Sequence, residues 1–270
     1  MKNLRLLIDP PRSGAMNMAI DEALMQHMLQ DGSSSHGFLR FYKWEPATLS
    51  FGYNQPIHRL VDIEKVQEAG LGIVRRMSGG KMVFHADEWT FSLGLPREIL
   101  RQSSQTTFLQ MFVTAVEPLV NALRDLNIPA RFADGRHQKA ASENNVHCYA
   151  AAAGHSIFAG PEKLIGAAGV AKGDFLIIHG SIPIQASYPP SELFLCQHRI
   201  EQGVSMACLK NFLDTEKIEL LPEMVAQKFS QDFSCMVTKY RLSAEEIATA
   251  SSLENEKYAQ LNWKEKNIIG

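Results

Sequence analysis

Residues that could do chemistry concentrate in one short stretch, residues 72–96, which reads GIVRRMSGGKMVFHADEWTFSLGLP. A Gly-Gly turn lets a ligand approach the backbone closely, because no Cβ stands in the way. Backbone N–H groups, together with Arg75, Arg76 and Lys81, would suit a carbonyl, carboxylate or phosphate oxygen. His85 adds a side chain whose charge can change near neutral pH. The stretch therefore predicts a binding site, although a plain β-hairpin with an arginine-rich edge would show the same pattern.

A second candidate site combines Cys148 with Lys163, which follows it by 15 residues. A thiol is a nucleophile only as the thiolate, and a nearby ammonium group lowers the thiol pKa. A Cys–Lys pair would therefore suit a site that carries an acyl group as a thioester. Spacing alone favours the ordinary alternatives, which are a small buried cysteine and a solvated surface lysine.

The strands that must position these residues are predicted from apolar alternation and turn signals. Residues 72–96 are expected to form a hairpin around the Gly-Gly turn, and 38–44 should pair with 48–53. The other strands are predicted at 4–9, 157–158, 163–165 and 175–184. The polar residues 131–145 are predicted to form a loop.

Helices are predicted where apolar residues recur at helical spacing. They lie at 15–30, 63–69, 105–126, 204–213, 222–233 and 243–258. Ser13, Asp62 and Ser243 are expected to cap three of them, and Pro118 should kink or divide the helix at 105–126. Strands packed by separate helices indicate a single α+β domain over residues 1–270, with mixed or antiparallel β-sheets.

Composition excludes several classes of protein. The net charge of −2 shows no basic excess, so no nucleic-acid partner is expected. No apolar run approaches about 18 residues, so no membrane span is expected. The short N-terminal apolar run does not suit a signal peptide, which favours a cytoplasmic protein. The four cysteines lack CxxC spacing, so free thiols are expected rather than disulfides or a zinc site.

Residues 72–96 also resemble the signature of the biotin/lipoyl protein ligase catalytic-domain family, in its lipoate-protein ligase A and octanoyltransferase branch. That signature runs Arg-Arg-x-(Ser/Thr)-Gly-Gly-x-x-Val-x-His. The matching positions are Arg75, Arg76, Ser78, Gly79, Gly80, Val83 and His85. The resemblance implies the biotin/lipoyl ligase catalytic fold and, apart from Val83, assigns these residues to substrate binding.

Two further family motifs are similar to segments of this sequence. One is Gly-x-Lys-(Ile/Val)-x-Gly-x-Ala, and the other is a His-Gly-(Ser/Thr) strand. The positions that fit are Lys163, Gly166, Ala168, His179, Gly180 and Ser181. In the family's ligases the lysine binds the lipoate carbonyl and the adenylate phosphate. In its Gram-positive-type octanoyltransferases a cysteine 15 residues before the lysine carries the acyl group, and Cys148 has that spacing. The resemblance thus implies that Cys148 and Lys163 are catalytic, that the other five positions bind substrate, and that no residue binds a metal.

Other segments extend the resemblance over nearly the whole chain, with no accessory C-terminal domain. ADEWTFS, which contains Asp87 and Glu88, is closer to the family's transferase pattern than to the Gly-Asn pair of its ligases. The sequence departs from the family at 168–171, where Ala-Gly-Val-Ala replaces Ala-Gln-Arg-Arg, and at 149–153 after Cys148. These changes could weaken contacts with a substrate or nucleotide.

The resemblance implies an acyltransferase that needs no metal and no ATP. Its partners would be an octanoyl-acyl carrier protein or lipoyl donor, and an acceptor lipoyl domain such as the glycine cleavage H protein or a 2-oxoacid dehydrogenase E2 subunit. One alternative is a lipoate-protein ligase that uses ATP and Mg²⁺. Another is a non-catalytic binder of acyl groups or lipoyl domains, which the altered residues 168–171 would suit.

Overall fold

The computed structural model of the chain describes residues 1–32, 34–101, 103, 105–133, 156–195 and 205–261. Within these ranges the chain forms a mixed eight-stranded sheet, a separate three-stranded sheet and helices on both faces of the larger sheet. The α+β fold predicted from the sequence is therefore confirmed. The prediction of a single domain over 1–270 stays a prediction.

The described strands are β1 (Asn3–Ile8), β2 (His36–Tyr42), β3 (Thr48–Phe51), β4 (Gly72–Arg75), β5 (Val83–His85), β6 (Glu88–Pro96), β7 (Ala130–Phe132), β8 (Ile157–Ala159), β9 (Glu162–Lys172), β10 (Phe175–Pro183) and β11 (Met236–Lys239). The large sheet has the order β11-β1-β2-β6-β10-β9-β8-β7, and the small sheet has the order β4-β3-β5. β1 runs parallel to both β11 and β2, while β6, β10 and β9 are antiparallel to their neighbours.

The described helices are α1 (Gly14–Asp31), α2 (Ile57–Leu60), α3 (Ile63–Glu68), α4 (Arg97–Leu100), α5 (Phe108–Asp125), α6 (Thr215–Asp232) and α7 (Ala244–Leu253). Short 3₁₀ turns cover Ser191–Leu193 and Leu209–Asn211, and a π-helical turn covers Glu254–Tyr258.

The large sheet is buried on both faces, and β10 shows how its sequence achieves this. Leu176 and Ile178 pack into the core beneath α5 and α6, whereas Phe175 and Ile177 pack into the core around α1 and α7. Successive side chains of a strand point to opposite faces, so a continuous apolar run is what a doubly covered strand requires. The small sheet has its own core with α2 and α3.

Local signals in the sequence correctly placed the starts of α1, α3 and α7 and the end of α1. The hydroxyl of Ser13 accepts a hydrogen bond from the N–H of Met16 at the start of α1, and Gly32 ends that helix with a φ of 61°. Asp62 caps α3, and Ser243 with Glu246 forms the capping box of α7. These interactions join residues about three apart, so they can be predicted without knowledge of the tertiary structure.

Strand pairing was predicted wrongly at two places. Residues 72–96 do not form a hairpin, because β3 lies between β4 and β5 and because β6 belongs to the other sheet. Likewise β2 and β3 do not pair, since the chain passes from the large sheet to the small one between them. In both cases the strand pairs with another strand that is distant in sequence, and alternation within a short segment cannot specify such a partner.

Several element boundaries also differ from the prediction. Helix α5 begins at Phe108, capped by Thr107, and remains one helix through Pro118. Helix α6 begins at Thr215, earlier than predicted, and continues through Pro222. The helix predicted at 204–213 is only a 3₁₀ turn within the residues described there. Strand β9 is longer than predicted, and β11 was not predicted because its four residues are short and largely exposed. Residues 130–132 form β7, whereas the predicted loop residues 134–145 lie outside the described residues.

Candidate functional site

A cleft lies between the small sheet and strands β9 and β10 of the large sheet. Its inner wall is formed by the buried side chains of Met18, Tyr42 and Trp44, and the exposed Gly80 lies at its mouth. Eight of the residues predicted to bind substrate line it, namely Arg76, Gly80, His85, Gly166, Ala168, His179, Gly180 and Ser181. Motifs that are about 90 residues apart in sequence thus meet in one cleft, because β10 pairs with both β6 and β9.

His179 stands in β10 between Ser92 of β6 and Ala168 of β9. Its Nε2 atom is 2.5 Å from the hydroxyl oxygen of Ser78, a buried residue in the segment between β4 and β5. Burial lowers the pKa of His179 from 6.5 to about 3, with the charges of Arg76 and His85 acting in the same direction. The imidazole is therefore neutral at ordinary pH.

His85, in β5, belongs to a second buried hydrogen-bond network. Its Nδ1 atom is 2.7 Å from a carboxylate oxygen of Glu88, and its Nε2 atom is 2.5 Å from the hydroxyl of Ser50. The ring also stacks on the indole of Trp44, with 3.9 Å between centroids and 13° between planes. Both ring nitrogens and one ring face are thus held by protein groups, which fixes the orientation of the ring.

Glu88 joins that network to β10 and to the segment that carries Trp44. Its carboxylate accepts hydrogen bonds from the hydroxyl groups of Thr90 and Ser181, the latter at 2.6 Å. The indole N–H of Trp44 in turn donates to the Thr90 hydroxyl at 2.7 Å. Glu88 is 3% exposed, and a buried carboxylate needs this number of donors to remain in place.

Arg76 organises the Gly-Gly turn at the mouth of the cleft. Its guanidinium donates to the carbonyl oxygens of Ser50, Gly79 and Lys81 at distances of 2.6 to 3.2 Å. Gly80 has a φ of 96°, which a residue with a side chain rarely adopts. The turn is thus fixed in a shape that turns backbone groups toward the cleft mouth.

Arg75 faces away from the cleft, as expected for a strand neighbour of Arg76. Its guanidinium donates to the carbonyl oxygens of Tyr53, Gln55 and Leu261. The side chain is buried, and these contacts are with backbone carbonyl groups rather than with solvent or a carboxylate. Ser78 and Gly79 are not among the residues that line the cleft, although Ser78 contacts the cleft-lining His179.

Of the two residues predicted to be catalytic, only Lys163 is among the described residues, so their pairing stays a prediction. Lys163 is a buried residue of β9, opposite Phe158 of β8, and its carbonyl oxygen accepts from the N–H of Ala207. It is not among the cleft-lining residues. Cys148 lies outside the described residues.

Sequence reasoning missed several members of the site. Ser50 and Tyr42 were not singled out, and Glu88 and Thr90 were noted only as part of a motif. The one available signal was the spacing of His85, Glu88 and Thr90 along HADEWTFS. The contacts with Ser50 and Trp44 become visible only in the folded chain.

The described residues contain neither a candidate membrane span nor a candidate metal site. No helix among them is long and apolar enough to cross a membrane. No group of three or more His, Cys, Asp or Glu side chains in the described part could hold a metal ion. Of the four cysteines, Cys208 and Cys235 are described, and both carry free thiols. The cytoplasmic location stays a prediction.

The sequence matches the lipoyl protein ligase A/B catalytic domain over residues 13–234. "Octanoyltransferase LipM" of Moorella thermoacetica is 38% identical over 170 residues, which are 62% of this chain and 59% of that protein. The chain thus matches about three fifths of that relative's length. The protein of the same name from Carboxydothermus hydrogenoformans is 31% identical over 262 residues, covering 93% of this chain and 94% of that one.

Solved structures agree with the fold. The bipartite lipoate protein ligase of Thermoplasma acidophilum, solved with its E2 lipoyl domain, superposes with a TM-score of 0.74 at 20% identity, covering 97% of this chain and 96% of that one. A lipoate-protein ligase A bound with ATP gives a TM-score of 0.72 at 24% identity, covering 97% of each chain. At such identities the likeness shows the fold alone.

Proposed function

The chain belongs to the lipoyl protein ligase A/B catalytic domain family, and we propose that it acts there as an octanoyltransferase. The reaction would move an octanoyl group from a carrier thioester to a lysine of a lipoyl domain. The support from relatives is the match to octanoyltransferases over nearly the full length of the chain.

The observation that carries the proposal is that one cleft is lined by both apolar and polar groups. Met18, Trp44 and Val83 offer a surface on which an alkyl chain can be buried. His179 and the backbone around Gly80 offer hydrogen-bonding groups to the polar end of the same molecule. A medium-length acyl group that ends in a carbonyl has this distribution of polarity.

The chemistry is assigned to Cys148 and Lys163 on the strength of the sequence. The thiolate of Cys148 attacks the carbonyl carbon of the octanoyl thioester, so a bond to the Cys148 sulfur forms and the carrier leaves as a thiolate. The lysine amine of the acceptor then attacks the acyl-cysteine. An amide forms, Cys148 leaves as a thiolate, and the amine proton restores a thiol. The Lys163 ammonium favours the thiolate form of Cys148.

We propose one partner as the acceptor of the octanoyl group and another as its donor. A lipoyl domain is the expected acceptor, because a ligase of the same fold was solved together with its E2 lipoyl domain. The glycine cleavage H protein and 2-oxoacid dehydrogenase E2 subunits are the candidates to test. The octanoyl-acyl carrier protein is the proposed donor, and the cytoplasm is the proposed location.

The proposal is tested by intact-mass spectrometry of the protein after incubation with octanoyl-acyl carrier protein, without ATP. We expect one added octanoyl group that hydroxylamine removes and that Cys148→Ala abolishes. Cys235→Ala is the matched control, because burial raises the pKa of the Cys235 thiol and keeps it protonated.

Two results would contradict the proposal that the protein is an octanoyltransferase. One is an unmodified protein that instead attaches free lipoate to a lipoyl domain when ATP and Mg²⁺ are supplied, which would identify a ligase. The other is binding of octanoyl donors with no transfer under either condition, which would identify a non-catalytic binder.

A further inference from the structure

In the hydrogen bond between Ser78 and His179, the surroundings of Ser78 indicate which residue is the donor. The Ser78 hydroxyl has two acceptors in reach, the Nε2 atom of His179 at 2.5 Å and the carbonyl oxygen of Gly79 at 3.5 Å. The second distance is at the outer limit of a hydrogen bond. The hydroxyl proton is therefore directed to Nε2, and a neutral imidazole that accepts at Nε2 carries its own proton on Nδ1.

The Nδ1 atom of His179 opens into the cleft. It makes no hydrogen bond within the described part of the chain, whereas Nε2 is occupied by Ser78. Among the described residues, the polar side-chain atoms that are both fully buried and unpartnered are Arg5 Nε, Arg12 Nε, Ser92 Oγ and Arg97 Nε. Nδ1 is not one of them, so it is accessible from the cleft that His179 lines.

We infer that Ser78 holds His179 with its proton on Nδ1, and that this N–H donates a hydrogen bond to the carbonyl oxygen of the acyl group in the cleft. His179 would thus be a catalytic residue and Ser78 a positioning residue. The inference rests on the proposed octanoyl transfer, because it takes an acyl carbonyl as the ligand.

A neutral imidazole N–H can fill this role. Attack on a thioester carbonyl places negative charge on its oxygen, and a preorganised hydrogen-bond donor stabilises that charge in the transition state. The donor keeps its proton throughout, so the site needs no proton transfer at this atom. The ionisable groups whose charges act on His179 are Arg76, before the Gly-Gly turn, and His85 of β5. Both disfavour a second proton on the ring.

The tautomer can be read in the resting protein by ¹H–¹⁵N NMR of histidine-labelled samples, with His179→Asn used to assign the signals. We expect an uncharged ring with protonated Nδ1 at neutral pH. In Ser78→Ala the ring should lose this preference, and Ser78→Thr, which retains a hydroxyl, should restore it. A proton on Nε2, or a doubly protonated ring, in the unaltered protein would overturn the inference and leave the octanoyltransferase untouched.

Substitutions of His179 test whether the Nδ1–H is used. The amide N–H of asparagine can occupy the place of Nδ1–H, whereas that of glutamine reaches the place of Nε2. We expect His179→Gln and His179→Ala to lower kcat by about 100-fold or more, and His179→Asn to remain within about tenfold of the unaltered protein. KM for the octanoyl donor should change much less.

Equal losses in the asparagine, glutamine and alanine variants, each shown to be folded by circular dichroism, would overturn the donor role of Nδ1. So would full activity of His179→Ala. If the unaltered protein transfers no octanoyl group at all, the proposed function fails instead, whatever tautomer the NMR measurement reports.

Discussion

At the scale of single residues, the cleft holds two buried imidazoles that differ in their partners. His85 faces the carboxylate of Glu88, whereas His179 faces the hydroxyl of Ser78 and the charge of Arg76. The charge of Arg76 disfavours a protonated ring at His179. The same residue type therefore has different surroundings at two places in one cleft.

The lowered pKa of His179 predicts how stability depends on pH. Between its unfolded pKa of 6.5 and its folded pKa of about 3, the unfolded chain binds a proton that the folded chain does not. The unfolding free energy therefore falls as the pH falls through this range, by about 2 kcal/mol between roughly pH 8 and pH 5 for this one residue. Urea denaturation at both pH values should show a smaller decrease in His179→Asn. The same decrease in both proteins would contradict the neutral buried ring.

Individual site residues could be predicted from the sequence only where they belong to a recognisable motif. Arg76, His85, Gly166 and His179 could be gathered from the sequence because family motifs carry them. Ser50, however, enters through contacts with Arg76 and His85 that are 26 and 35 residues away in the chain. No local pattern marks a serine as the link between two such side chains.

At the scale of elements, the small sheet and the Gly-Gly turn form one unit. The N–H of Tyr53, just after β3, donates to the carbonyl oxygen of Ser78 at 2.8 Å. The carbonyl oxygen of Gly80 lies so close to Gly52 that a Cβ built on Gly52 would stand 2.0 Å from it. The turn therefore rests directly on the backbone that follows β3.

Gly52→Ala is expected to destabilise the protein by about 1–3 kcal/mol, because the new methyl group would force the turn away from β3. Gly79→Ala is the matched control for stability, since a Cβ on Gly79 meets no atom within 4 Å and its backbone is not left-handed. Denaturant unfolding of both variants measures the difference. Equal stability of the two would show that the turn can move without cost.

How far the elements could be predicted depended on the range of the interactions that define them. Helix ends followed from side chains such as Ser13 and Ser243 that act within one turn of their own helix. Strand partners did not, because β3 separates β4 from β5 after a chain excursion through α2 and α3. Pairing of this kind depends on how the two sheets pack in the folded chain. The alternation of apolar residues within one strand does not specify it.

At the scale of the whole molecule, Arg40 ties β2 to α1 and to the end of β1. Its guanidinium donates to Asp9 and Asp21, each at 2.7 Å, and to Asn17. Burial raises the pKa of Asp21, while the charge of Arg40 opposes that rise. Tyr42, whose own pKa burial raises well above 10, donates its hydroxyl to Asp21 and lines the cleft. The buried ion network therefore supports the inner wall of the site.

Arg40→Met is expected to reduce the unfolding free energy by about 3–5 kcal/mol, because it leaves the Asp21 carboxylate buried without its cationic partner. Adding Asp21→Asn to that variant should recover part of the loss, since the uncompensated charge is removed. The measurement is a double-mutant cycle by denaturant unfolding. Strictly additive losses would show that the two side chains do not depend on each other.

The imidazoles described above also connect the two sheets. Ser78 and His85 come with the small sheet, while their partners His179 and Glu88 are residues of the large one. Neither sheet holds a complete cleft by itself, so a chain in which both sheets have formed but have not docked would be catalytically silent. During refolding, activity should therefore return only when the two sheets dock. Its recovery should be slower than the recovery of secondary structure.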